Sequence, residues 1–229
     1  MLEEIFVKMV NHSISNGFTT RIYLASKSPR RQMLLNQIGI EFDLIDSEID
    51  ESVKKDESAL NYVRRMSIQK ANEGWVSKQR IENYPLLAAD TSIAIDDVIL
   101  GKPTNRTDAK EMLNRLSSRR HEVITSVSLK YQQNNSSELA KSDVLKSEII
   151  ETVDSVTKVK FCVLRDRDIE EYLDTEEWLD KAGSYAIQGF AAKYIESIQG
   201  SYSGVVGLPL YETSQLISKM LEVLKIEKS

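Results

Sequence analysis

The 229-residue sequence predicts an α/β fold. Three observations carry this. From Arg21 onward, short apolar runs rich in β-formers alternate with amphipathic segments bearing helix-start and helix-stop residues. One run, "LLAADTSIAI", is apolar on both faces, as a strand in the interior of a sheet would be. The hydrophobic content of 41% is enough for an ordinary packed core.

Each element is legible in turn. "RIYLAS" is a first strand. "SPRRQMLLNQIG" follows as a helix, with Ser28 at the N-cap, Pro29 at the first helical position and Gly39 as its stop. "FDLID" is a second strand and "ESALNYVRRMSIQKANEGWVSKQR" a long helix, whose stripe is Leu60, Val63, Met66, Ala71 and Trp75. "PLLAADTSIAID" is the interior strand, and "DDVILGKP" a turn with a short strand. "TDAKEMLNRLSS" is a helix capped by Thr107. "HEVITSVSLKY" and "VTKVKFCVL" are strands divided by the polar excursion "QQNNSSELAKSD", read as a solvated hairpin. After the short helix "RDIEEYLDT" the chain is loop-rich as far as "GVVGLPL". A closing helix sets Leu216, Ile217, Met220, Leu221 and Leu224 on one face, open to packing inward or against a partner. Residues 1–19 are expected to form an appendage, and residues 20–229 a single domain.

Charge and composition narrow the function. A net charge of −5 gives no general field for nucleic acid or an anionic membrane, so any polyanion must be met by a local cluster. The single cysteine, Cys162, allows no internal disulfide, reads as a core thiol and suits a reducing compartment. No apolar run reaches the ~20 residues of a membrane-spanning helix, and a cytoplasmic protein is expected. Two histidines leave little room for a zinc site or a Ser–His–Asp triad. The remaining vocabulary is carboxylate, lysine and arginine, that of phosphate-ester chemistry.

Several residues sit where packing alone does not ask for them. Arg31 heads the apolar stripe of the first helix and Arg30 flanks it, both at a helix end whose backbone dipole repels cations. Either they pair with a structural carboxylate or they await an anion beside the free N–H groups of that end. Lys70 falls inside the stripe of the second helix and either snorkels to the rim or faces a cleft. Asp90 interrupts the interior strand and must have a cation, a metal or strong donors. Set among cations, its pKa is expected to fall. The run "SEIDES" offers Glu48, Asp50 and Glu51 as further ligands, and "GKP" holds Lys102 in a stiff turn. Gly183, Gly189, Gly200, Gly204 and Gly207 suit backbone wrapped around a ligand, or tight turns.

In order and spacing, "LASKSPRRQMLLNQIGI", "QKA", "AADT", "LGKP", "HEVIT", "DKAGSYAIQG" and "GSYSGVVGLPL" resemble the Maf family of nucleoside triphosphate pyrophosphatases, from about Arg21 to Glu212. The resemblance implies a two-lobed α/β fold of the ITPase-like type, with an elongated mixed sheet flanked by helices and a central cleft. It implies hydrolysis of a nucleoside triphosphate to the monophosphate and pyrophosphate with Mg²⁺ or Mn²⁺. Asp90 takes the proton-acceptor position, and Asp90 with Glu51 the metal positions. Ser26, Arg30, Arg31, Lys70, Thr91, Lys102 and Gln188 take substrate-binding positions, with Arg30, Thr91 and Gln188 tied to substrate choice. Arg31 is the expected phosphate anchor and Arg30 the specificity contact. "YAIQG" and "GSYSGVVGLPL" resemble the pyrimidine-preferring branch, so dTTP, UTP and modified uridine triphosphates are the expected substrates. The branch acting on 7-methylguanosine triphosphate is expected to carry an acidic residue at position 188. A nucleotide-sensing regulator of cell division is the reading from another class. The family also contains homodimers.

Overall fold

The computed structural model describes residues 21–135 and 145–226. The expected appendage at residues 1–19, and residues 136–143 of the polar excursion, lie outside the described residues. Strand β1 (Arg21–Leu24) leads into helix α1 (Pro29–Gln37), strand β2 (Glu41–Leu44) and helix α2 (Ala59–Val76). Strands β3 (Leu86–Ile95) and β4 (Val98–Leu100) are followed by helix α3 (Arg106–Leu116). Two long strands, β5 (Arg120–Asn135) and β6 (Leu145–Phe161), precede helix α4 (Asp166–Leu173). Short 3₁₀ turns at Ala182–Ser184 and Phe190–Tyr194, strand β7 (Ile195–Gln199), helix α5 (Tyr202–Val206) and helix α6 (Leu210–Ile226) complete the chain.

The seven strands form one mixed sheet in the order β2-β1-β3-β5-β6-β7, with β4 paired to β3. The β1 pairings with β2 and β3 are parallel, and all later ones are antiparallel. Strand β3 is buried along nearly its whole length, as its two-sided apolar pattern requires. Its even residues face α2, where Leu86 and Ala88 pack with Ala71 and Trp75. Its odd residues face the larger core, where Leu87 and Ala89 meet Leu34 and Leu35 of α1. Leu216, Ile217 and Met220 of α6 are buried in that same core, so the closing helix packs inward.

Several expectations need correction. Helix α3 is capped by Asn105, whose side chain accepts the Asp108 N–H at 2.9 Å, and Thr107 lies inside the helix. Both are good caps, and Asn105 wins because Asp108 then stands three residues on. Ser28 holds the N-cap position of α1 without a side-chain cap bond. Strand β6 starts eleven residues earlier than "VTKVKFCVL" suggests, since the hairpin ladder runs from Arg120↔Lys160 to Asn135↔Leu145. Its polar half is mostly partly buried, and hydrophobic alternation does not mark it. The loop-rich section conceals β7 and α5, the one an exposed sheet edge and the other a single five-residue turn. No helix among the described residues is long and apolar enough to cross a membrane.

Candidate active site

Helix α1 presents its N-terminus to a cleft of about 940 Å³. With no acidic residue in its first turn and no side-chain cap, that end is electropositive. Arg31 is held there by neutral oxygens. Its Nε–H donates to the Gly207 carbonyl at 2.8 Å, and its Nη1 and Nη2 groups donate to Ser26 Oγ and Thr91 Oγ1 at 3.2 Å each. Three of the five donors of a guanidinium are thereby used. No carboxylate lies within ion-pair distance of Arg31 among the described residues. Burial lowers its pKa, although Asp90 pulls the other way. Arg30, half-buried on the cleft wall, has no hydrogen-bond or ion-pair partner among the described residues, and burial lowers its pKa as well. The structural-carboxylate reading of the two arginines is therefore overturned.

The opposite wall is made where α2 crosses β3. Lys70 does not snorkel outward. Its Nζ lies 2.8 Å from Asp90 Oδ1 and 2.7 Å from Glu51 Oε1. Asp90 is only 8% exposed. Burial pushes its carboxyl up despite Lys70 and Arg31, with the like charge of Glu51 adding to the rise. The expected fall is thus reversed, because desolvation outweighs a lysine shared between two carboxylates. Glu51 is also penalised by burial, yet the Lys70 hydrogen bond and the charges of Lys70, Lys102 and Arg31 hold it below the usual carboxylate range. Of the acidic run only Glu51 lines the cleft; Asp50 turns back to accept from the N–H and hydroxyl of Ser52, each at 2.9 Å.

The remaining walls come from loops. Lys102 follows Gly101, whose carbonyl accepts the Gly183 N–H at 3.0 Å and ties the "GKP" turn to the 180–189 segment. That link brings Lys181 to the same cleft, where burial, Arg30 and Lys102 lower its pKa. Gln188 lines the cleft with its side chain exposed. Beside it, Glu177 Oε2 accepts the Phe190 N–H at 2.8 Å and sits where a Cβ on Gly189 would be, at 1.9 Å.

The cleft therefore gathers Ser26, Arg30, Arg31, Glu51, Lys70, Asp90, Thr91, Lys102 and Gln188, the whole set expected from the sequence. It also gathers Lys181 and Tyr62, which sequence reasoning passed over. Tyr62 donates its hydroxyl to the Glu51 carbonyl at 3.0 Å, and burial together with Asp90 and Glu51 pushes its pKa up to about 12. Lys181 stood inside a recognised motif without being singled out. Tyr62 gave no signal, since an aromatic on a helix reads as packing.

A family model described as "Maf-like protein" matches residues 21–220. The chain belongs to the Maf family. This Maf chain is 46% identical over 200 residues to a dTTP/UTP pyrophosphatase of Pseudoalteromonas atlantica, covering 87% of this chain and 96% of that one. It is 43% identical to a dTTP/UTP pyrophosphatase of Chromobacterium violaceum, covering 87% and 94% respectively. Among solved structures it is similar to the Staphylococcus aureus Ham1 protein at a TM-score of 0.29 and 15% identity, covering 59% of this chain and 70% of that one, a likeness too low to carry an argument.

The donor set of this Maf site suits a hard divalent cation. Among the described residues no cluster of three or more histidine, cysteine, aspartate or glutamate side chains is placed to hold a metal. Asp90 and Glu51 nonetheless converge on one point, marked by Lys70. Mg²⁺ is commonly held by one or two carboxylates, with substrate phosphates and water completing its shell. Two carboxylates on a cleft of about 940 Å³ fit that pattern.

Proposed function

We propose that this chain hydrolyses pyrimidine nucleoside triphosphates, namely dTTP, UTP and modified uridine triphosphates, to the monophosphate and pyrophosphate. One observation carries the reading: among the described residues the partly buried Arg31 guanidinium has only neutral hydrogen-bond partners and stands with Arg30 and Lys102, which are also unpaired, in the cleft that holds Asp90. A partly buried cation with no ion-pair partner is stabilised when an anion completes it. A triphosphate supplies that anion. The names of the curated relatives support the same substrate class.

The chemistry follows from the groups in place. Water adds to the α phosphorus, the bond from that phosphorus to the bridging oxygen breaks, and pyrophosphate leaves with the electron pair. Asp90, its carboxyl pushed up by burial, accepts the proton from the attacking water. Arg31, Arg30 and Lys102 stabilise the charge that gathers on the phosphate oxygens. Lys70 keeps Asp90 and Glu51 in place. Asp90 and Glu51 would hold Mg²⁺ or Mn²⁺, which supplies charge neutralisation at the phosphates. Gln188, with a neutral amide where an acid would favour a methylated purine, supports the pyrimidine choice. The single, unpaired Cys162 supports a cytoplasmic setting.

The test is pyrophosphate release from a panel of nucleoside triphosphates, with and without Mg²⁺. UTP and dTTP are expected to lead, and Asp90→Asn is expected to lower kcat by about 10² to 10⁴. Full turnover in Asp90→Asn would remove the assigned base. Preference for 7-methylguanosine triphosphate would remove the pyrimidine assignment.

A further inference from the structure

Thr125 lies on β5, is fully buried, and does not line the cleft. Its neighbour in register is Thr91 of β3, and the two hydroxyl oxygens stand 2.8 Å apart. The Thr125 hydroxyl also lies 2.8 Å from the carbonyl of Gly204 in α5. These contacts fix the direction of every hydrogen. A carbonyl only accepts, so the one hydrogen of Thr125 goes to Gly204. A guanidinium only donates, so Thr91 Oγ1 accepts from Arg31. The one hydrogen of Thr91 must then go to Thr125.

A closed ring results. Arg31 reaches Gly204 through two hydroxyls and reaches Gly207 directly through Nε, so both routes end on α5 and the residue that closes it. Gly207 has φ of +129°, and a Cβ there would stand 3.7 Å from both Arg31 Nε and Thr91 Oγ1. The ring contains no carboxylate. It orients the guanidinium without giving it an ion-pair partner. It also leaves Thr91 with no donor for the cleft, only an oxygen lone pair.

The geometry points to Thr125 as a positioning residue for triphosphate binding, acting through Thr91 and the Gly204 carbonyl to aim the Arg31 guanidinium into the cleft. This rests on the triphosphate reading above in its kinetic arm, while its binding arm needs only a polyphosphate.

Thr125→Val keeps the shape and removes the hydroxyl. Its KM for UTP is expected to rise about tenfold with kcat changed less than threefold, and Thr125→Ser is expected to restore KM to within twofold. Affinity for inorganic tripolyphosphate, measured by calorimetry, is expected to fall about tenfold in Thr125→Val and to recover in Thr125→Ser. Thr213→Val is the control: its hydroxyl is equally buried but has no hydrogen-bond partner among the described residues, so both constants should stay put. Unchanged KM and tripolyphosphate affinity in Thr125→Val overturn the proposal. So does a loss that serine fails to rescue or that Thr213→Val reproduces. If Thr125→Val does not fold, Thr125→Cys carries the test, since a thiol is a weak donor. An intermediate loss there supports the proposal and none overturns it. If UTP is not hydrolysed by the unaltered chain, the pyrimidine reading fails while the tripolyphosphate arm still decides the role of Thr125.

Discussion

Asp90 and Thr91 are consecutive on β3 and therefore face opposite sides of the sheet, and the two sides solve the problem of burying polar groups differently. On the Asp90 side, charge meets charge: Lys70 is shared by Asp90 and Glu51. On the Thr91 side, the Arg31 cation meets hydroxyl and carbonyl oxygens alone. The first arrangement sets two carboxylates against one lysine and, with burial, holds a carboxyl in a raised state suited to proton transfer. The second fixes geometry and leaves the positive charge for a ligand. A phosphoanhydride hydrolase needs both, and one strand supplies them with adjacent residues.

Breaking the charged side should have the largest effect. Lys70→Met leaves Asp90 buried beside Glu51 with no cation between them. Removing one partner of a buried pair costs roughly 3–5 kcal/mol. Partial exposure of Glu51 brings the expected loss to about 3 kcal/mol, read from urea unfolding. An equally stable Lys70→Met would show that the pair is structurally idle.

The neutral side is probed by Arg31→Lys, which keeps the charge and loses the fork. A lysine cannot serve Gly207, Ser26 and Thr91 with the same geometry, so kcat/KM for UTP is expected to fall about 100-fold. Retention of activity would mean that charge alone suffices there.

The same face of β5 carries His121, four residues before Thr125, only 2% exposed, with Nε2 at 2.8 Å from the Tyr185 hydroxyl. Burial pushes its pKa down to about 4. The unfolded chain, with a histidine near 6.5, takes up the proton first as pH falls. Its contribution is therefore complete above about pH 6.5, shrinks as pH falls towards 4, and is flat below that. Between pH 7 and 5 about 2 kcal/mol of stability should go. His121→Gln should flatten that part of the profile, and an unchanged pH dependence would show that other groups govern it.

The smallest effect belongs to the rim. A Cβ at Gly189 meets Glu177 Oε2, so Gly189→Ala should swing that carboxylate away and release the Phe190 N–H. About 1 kcal/mol of stability and a roughly threefold rise in KM for UTP are expected, through the neighbouring Gln188.

The comparison also explains what the sequence could disclose. Core-forming elements were legible because Val63, Met66 and Trp75, or Leu86 to Ile95, show period and burial directly. Asp90, Lys70 and Arg31 were conspicuous as charges in apolar stripes, yet their partners were not. A stripe says that a lysine is near the core, but whether it snorkels depends on carboxylates brought from elsewhere in the chain. The direction of the Asp90 shift was misjudged for the same reason: nearby cations can be anticipated from motifs, whereas the degree of desolvation is a property of the assembled fold. Thr125 and Tyr62 escaped because a hydroxyl on a strand and a ring on a helix are ordinary there, and only three-dimensional hydrogen-bond direction gives them a role. Strand β7 and helix α5 escaped because an exposed five-residue edge and a single turn have no periodicity to detect.

The Arg31–Gly207 hydrogen bond joins residues 176 apart in sequence, against 60 for Arg31–Thr91 and about 40 for the widest pairing of the β5–β6 hairpin, Arg120↔Lys160. Loop-closure entropy favours the hairpin first and the arginine clamp last. During synthesis, the clamp cannot close until Gly207 has left the ribosome, so a chain arrested within the long hairpin would own Asp90 and Lys70 yet lack the Gly207 hold on Arg31. The complete grip on Arg31 thus arrives only after the hairpin and the Gly207 segment have both been made.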